Sequence, residues 1–241
     1  NIKTGEPGLT HIRTALETGK HVVTSNKGPL VIAFRELQKL ASSKGVQFKY
    51  SATVGGAIPV ISLARRLASG DEILGVRGVL NGTTNYILTR MEREGLSQDV
   101  VIREAQELGI AEKDPTLDIE GIDTACKLVI LANSILDMDV KLSDVKITGI
   151  SRISPEALKL AREAGYTIKL IGNADREGLD VRPRLVPLDH PLNIGGTLNA
   201  VSFRLRYARE ITISGFGAGP METSSALLAD IMEVLASSPA S

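Results

Sequence analysis

The sequence predicts an α/β fold in two parts, and three observations carry that prediction. Over residues 1–55 helical and extended patterns alternate in the manner of βα units, which implies parallel strands with helices on their faces. From Pro59 to about residue 136 helical spacing dominates. The last third (LDVRPRLVPL, LNAVSFRLRY and EITISGFG) alternates apolar and polar residues with period two between turn residues, as strands of a mostly antiparallel sheet do. The expected architecture is a partial nucleotide-binding-type α/β unit joined to an α+β unit.

In chain order, helix 8–18 leads to strand 21–25, and helix 31–44, with Leu30, Phe34, Leu37 and Leu40 at helical spacing, leads to strand 46–51. Gly19 and Gly45 fall where a glycine stops a helix. Pro59 suits the first turn of helix 59–68. Further helices are expected at 83–94, 97–107 and 120–136, with strands at 73–80, 145–150 and 167–174. GFGAGPMETSSALLADIMEVL reads as a glycine turn and a closing helix capped by Thr223 or Ser224, followed by a frayed SSPAS tail. The opening residues enter a βα succession midway, so an N-terminal part is expected to be missing.

Lys+Arg and Asp+Glu balance at 28 each, so no net field favours nucleic acid or an anionic membrane. Arg204 and Arg206 alternate along a strand as a solvated face would. The single cysteine, Cys126, excludes an intramolecular disulfide and suits a reducing compartment. Its apolar helical surroundings make it a small core residue. No apolar run approaches the ~20 residues of a membrane span. With no signal-peptide pattern at the start, a cytoplasmic protein is expected.

The histidines His11, His21 and His190 have no ligand spacing, and G-x-S-x-G, Walker and G-x-G-x-x-G sequences are all missing. Four stretches remain. TSNKG puts Lys27 at the carboxyl end of a strand, where α/β sheets bind ligands, although a surface-loop lysine gives the same pattern. SATVGGAIP sets two glycines after a strand, either as a plain turn or as carbonyls able to bind a monovalent cation. In NGTTNY, Asn81 or Thr83 caps a helix, or the helix start receives a substrate carboxylate. AEKDPTLDIEGIDTACKLVILAN gathers Glu112, Asp114, Asp118, Glu120 and Asp123 ahead of Lys127. Asp123 and Lys127 stand i, i+4 on one polar helix face with Glu120 and Thr124, which an exposed salt bridge would explain. Several carboxylates around one lysine would also hold it charged and oriented as a general acid.

Taken together, TSNKGPL, SATVGGAIPVI, GVLNGTTNYIL, EAQELGIAEKDPTLDIEGIDTACKLVILAN and GFGAGPMETSSALLADI resemble the homoserine dehydrogenase family, in order and along nearly the whole chain. The central stretch fits that family's signature, E-A-x-x-x-G-x-A-E-x-D-P-x-x-D-x-x-G-x-D-x-x-x-K. The resemblance implies NADPH- or NADH-dependent reduction of aspartate 4-semialdehyde to homoserine. It also implies a Rossmann-like nucleotide-binding domain, represented by residues 1–55 and 217–241, and a catalytic and homodimer-forming domain over 56–216. By the resemblance, Lys127 matches the proton-donating lysine, Lys27 a second lysine near cofactor and substrate, and Asp118 an aspartate of the proton-transfer network. Glu112 and Asp123 match residues that hold the substrate amino group, Thr83 belongs to the substrate-side turn, and Gly109 and Gly219 match backbone contacts to cofactor. Val54, Gly56 and Ile58 match backbone positions that bind Na+ or K+, with Ser51 where many members carry a glutamate. The alternatives are a related amino-acid dehydrogenase and a non-catalytic dimerisation fragment.

Overall fold

In the computed structural model, which describes residues 2–237, β1 (Val22–Val23) and β2 (Phe48–Lys49) pair in parallel, Val22 opposite Phe48. Helix α1 (Gly8–Glu17) buries Leu9, Ile12 and Leu16, spaced to fall on one face, against α2 (Lys27–Ser43). Gly19 (φ +72°) and Gly45 (φ +64°) take the left-handed conformation just past the two helices, as expected of stop glycines. Both strands are shorter than their sequence patterns, because each has a single strand partner among the described residues.

Helix α2 starts at Lys27 and not at residue 31, capped by Asn26, whose side chain accepts the Gly28 N–H at 3.2 Å. Ala33 leaves helical geometry (φ −136°, ψ 33°), so the first turn is kinked away from the body of the helix. Lys27 therefore stands on a capped helix start, better fixed than a loop residue.

The main sheet has six strands in the order β4 (Val145–Ile147), β6 (Gly178–Pro187), β5 (Tyr166–Asp175), β3 (Ile73–Val79), β7 (Leu198–Leu205) and β8 (Glu210–Phe216). All pairs are antiparallel except β4 with β6. Gly78 is required where it stands: a Cβ there would lie 2.3 Å from the Ala200 carbonyl of β7. The remaining helices are α3 (Val60–Ala68), α4 (Gly82–Glu94), α5 (Gln98–Glu107), α6 (Thr116–Ile119), α7 (Ile122–Ile135), α8 (Pro155–Glu163) and α9 (Pro220–Ser237). Strand 145–150 shortens to β4. Helix α9 begins at Pro220, ahead of the expected caps, with Thr223 N already bonded to Gly219 O at 3.0 Å. The SSPAS tail beyond Ser237 lies outside the described residues.

Helix 120–136 appears as α7, starting two residues later, with the short α6 ahead of it. Gly121 (φ +79°) separates α6 from α7, and Ile150 N bonds Ile119 O at 2.8 Å to fix the break. Of the two readings that the Asp123–Lys127 spacing left open, the exposed salt bridge fails: every residue from Asp123 to Asn133 is buried, and Glu120 alone of the four polar residues faces solvent. The reason is tertiary. The sheet closes over α7, with Thr124 and Leu128 against Gly172 of β5, so its polar residues point inward with its apolar ones.

Cys126 is a core residue, as expected, and burial together with the Asp123 charge pushes its thiol up to about 11. Among the described residues, no helix is long and apolar enough to cross a membrane and no group of three or more His, Cys, Asp or Glu is placed to hold a metal.

Lys169 on β5 is 3% exposed, and its ammonium donates to neutral oxygens, Asn85 Oδ1 at 3.0 Å and Thr89 Oγ1 at 3.4 Å on α4. Burial pushes it down to about 8, with nearby Arg93 adding to the fall and Glu92 opposing it. A cation disfavoured in the folded chain means that the unfolded chain binds more protons between about 8 and the ordinary lysine value of about 10.4, so this residue makes stability rise with pH across that window. Lys169→Met should remove that slope. At pH 7 it should stabilise the fold by about 1–2 kcal/mol, after allowing for the donor that Asn85 loses. Urea unfolding from pH 7 to 10 checks it: the two stabilities should converge as pH rises.

Candidate active site

Three junctions converge on one cluster. The start of α2 delivers Lys27, the β3–α4 turn delivers Leu80, Asn81 and Thr83, and the α6–α7 corner delivers Asp118, Asp123 and Lys127. Asn81 is extended (φ −132°, ψ 118°) and caps α4 by accepting the Thr84 N–H at 2.8 Å. The left-handed Gly121 turns the chain so that Asp118, before the corner, and Asp123, after it, address the same space.

Asp123, 7% exposed, is the hub. Its Oδ2 lies 2.8 Å from Lys127 Nζ and accepts the Asn81 amide at 2.9 Å, while Oδ1 pairs with Lys27 Nζ. Lys127 also donates to the Leu80 carbonyl at 2.7 Å. An ammonium has three N–H groups, so among the described residues one remains for a ligand. Asp118 accepts the other Asn81 N–H at 2.6 Å.

The electrostatics separate the two aspartates. Burial alone would favour the neutral acid in both. For Asp123 the charges and hydrogen bonds of Lys127 and Lys27 outweigh burial and hold the carboxyl far below the usual range. For Asp118 burial and the Asp123 charge win, and its carboxyl is pushed up, with Asn81, Lys127 and Thr83 limiting the rise. Lys27 is raised, because attraction and hydrogen bonding to Asp123 overcome its burial. The result is a fixed anion holding two cations, beside a second carboxyl that protonates more readily. Paired titratable groups pushed apart in this way suit acid–base chemistry.

The other predicted residues differ in what the structure ties them to. Thr83 donates its hydroxyl to Ile110 O at 3.1 Å, tying α4 to the loop after α5. Gly109 (φ +70°) follows α5 with nothing within 4 Å of where a side chain would begin, and its N–H bonds Gln106 O at 3.1 Å. Glu112 is exposed on that loop, and its carboxylate takes no part in the cluster's bonds. Gly219 (φ +133°) precedes α9, where a Cβ would fall 2.1 Å from Glu222 Oε2. The 54–58 turn carries Gly55 (φ +90°) and Gly56 (φ +55°) and docks on the GFGAG turn through Ala57 N to Phe216 O at 3.2 Å. Ile58 O already accepts Val60 N at 2.7 Å. Sequence reasoning missed Asp230 of α9, which is buried and accepts from Ser51 N at 2.8 Å and from Ser51 Oγ at 2.7 Å. A lone aspartate in an apolar helix was the available signal. It also weighed Asn81 only as a cap, because spacing does not reveal what an amide's N–H groups face.

The family model described as homoserine dehydrogenase matches residues 59–232. A homoserine dehydrogenase of Methanocaldococcus jannaschii is 56% identical over 97% of this chain and 70% of its own length. An NAD(+)-dependent homoserine dehydrogenase of Pseudomonas canavaninivorans is 45% identical over 95% of this chain and 67% of its own. Among solved structures, a hyperthermophilic archaeal homoserine dehydrogenase mutant in complex with NADPH is similar with a TM-score of 0.86 at 30% identity, covering 97% of this chain and 69% of that one. With the signature lysine and its carboxylates brought together in space, the chain belongs to the homoserine dehydrogenase family of NAD(P)-dependent oxidoreductases.

Proposed function

We propose that the cluster is the substrate-holding and proton-delivering part of a homoserine dehydrogenase site, reducing aspartate 4-semialdehyde to homoserine. The observation that carries this reading is Lys127: a buried ammonium fixed by Asp123 and the Leu80 carbonyl, with one N–H uncommitted. The cofactor, NADPH or NADH, supplies the hydride when bound; by the family resemblance the Gly109 backbone and the Lys27 ammonium meet it. Negative charge then develops on the aldehyde oxygen, and Lys127 stabilises it and gives it a proton. Asp123 holds that lysine in place throughout. Asp118, the more easily protonated carboxyl, serves the return of the proton. Glu112, outside the cluster's bonds, is available to the substrate ammonium, with Asp123 adding charge from within, and this orients the aldehyde. Thr83 shapes the substrate-side turn.

The same reading assigns 1–55 and 217–241, with Gly219, to nucleotide binding and 56–216 to catalysis and a homodimer contact, in a cytoplasmic enzyme. By the same resemblance, the carbonyls of Val54, Gly56 and Ile58 are assigned to Na+ or K+, ions that take oxygen donors. The test is oxidation of homoserine by the full-length protein with NAD+ or NADP+, set against other small amino acids. Homoserine should be preferred by about 100-fold or more in kcat/KM, since a group placed for its terminal hydroxyl is left unpaired by amino acids that lack it. Equal turnover of another amino acid would overturn the substrate assignment.

A further inference from the structure

We propose that Asn81 is a positioning residue for this acid–base cluster, its amide locked by a capping bond so that its two N–H groups hold Asp118 and Asp123 in register with Lys127. The inference rests on the reading of Lys127 as the proton donor. It starts from a bond inventory. Asn81 Oδ1 accepts Thr84 N at 2.8 Å and lies 3.1 Å from Thr84 Oγ1. An amide has its acceptor on one side and its donors on the other, so this cap forces Nδ2 toward the carboxylates. The flipped amide would lose the cap and set Oδ1 against two anions.

Nδ2 then meets Asp118 Oδ1 at 2.6 Å and Asp123 Oδ2 at 2.9 Å, one carboxylate from each side of the Gly121 corner. Like charges placed this close repel, and a neutral double donor between them offsets that repulsion without adding charge. Asn81 is 5% exposed, so water does not readily take its place. The residue before it, Leu80, binds Lys127 through its carbonyl. One strand end therefore anchors the acid through its backbone and both carboxylates through a side chain. Capping alone does not call for asparagine, since serine, threonine and aspartate cap equally well or nearly so. Only asparagine of these also supplies two N–H donors.

That difference defines the experiment. Asn81→Ser keeps a capping oxygen but trades both N–H donors for a single hydroxyl on a shorter side chain, without adding charge; Asn81→Asp keeps the cap, removes both donors and adds a third anion. Both are made in the full-length protein, beside wild type and Asn81→Ala. Positioning predicts that the serine variant melts close to wild type and the aspartate variant, with its third buried anion, lower, while both lose about 100-fold in kcat with KM for homoserine little changed and move the acidic limb of kcat/KM to higher pH. The 13C NMR titration of the Asp118 carboxyl should shift upward in Asn81→Ser relative to wild type, because a donor to the charged form is gone. A purely structural cap predicts instead that only Asn81→Ala changes, and in melting temperature. Serine and aspartate variants within threefold of wild-type kcat, or an unmoved Asp118 titration, would overturn the proposal. Should the aspartate variant fail to fold, the serine variant decides alone. If wild type itself fails to oxidise homoserine, the function reading falls, while the Asp118 titration still answers for Asn81.

Discussion

Replacing Lys127 with alanine should lower kcat by at least about 1,000-fold, because one side chain supplies both the cation at the developing oxyanion and the proton that follows. Fold and NAD(P)H affinity should survive. Asp123 retains Lys27 and Asn81 as partners, so the charge left behind is not orphaned. The Leu80 carbonyl does lose its donor, which costs about 1–3 kcal/mol of stability. Lys127→Arg should not restore turnover, since a guanidinium does not release its proton and does not fit an ammonium's space. Steady-state and single-turnover kinetics of the full-length protein test this, and more than a tenth of wild-type kcat in the alanine variant would remove Lys127 from the proton-donor role.

Asp123→Asn carries the largest expected effect on stability. It leaves the Lys27 and Lys127 ammonium groups facing a neutral amide where a shared carboxylate had joined them. Breaking a buried pair by removing one partner costs about 3–5 kcal/mol, and the loss should appear at pH 7 as a lower midpoint in chemical denaturation. The pH dependence gives a second check. The folded-state pKa of Asp123 is depressed, so its contribution is fully present above the unfolded carboxylate value of about 4 and is lost as pH falls toward the folded one. The gap between wild type and variant should therefore narrow at pH 3. Asp118 acts with the opposite sign: its raised carboxyl adds stability below the unfolded value, and that contribution disappears as pH climbs through the folded one. A gap that stays constant from pH 7 to pH 3 would show that Asp123 is not held as a buried, doubly paired anion.

Local signals in the sequence predicted much of the frame correctly. The stop glycines at 19 and 45, the helical spacing of Leu30, Phe34 and Leu37, and the period-two strands of the last third all appear where expected. Each is a property of a few neighbouring residues, and nothing distant overrides it. The features left open or unseen depend on distant neighbours. The Asp123–Lys127 spacing reads equally as an exposed salt bridge, and the sheet lying over α7 is what buries it. Glu112 and Asp123 read as equals in the signature, yet one is exposed on a loop and the other sits between two lysines. Asp230 and Ser51 are 179 residues apart, and no local pattern pairs them.

By itself, then, the sequence determined the chemical inventory and its order: two lysines, a signature of carboxylates, the glycines that turn the chain, and through them the family. The tertiary structure alone decided the state of each group. Lys27, Asn81 and Asp123 come from three separate segments, and their mutual distances fix which carboxylate remains an anion and which N–H of Lys127 is free. The physical reason is that charge stabilisation and desolvation act through space over a few ångströms. Spacing along the chain fixes those distances only within a single helix turn.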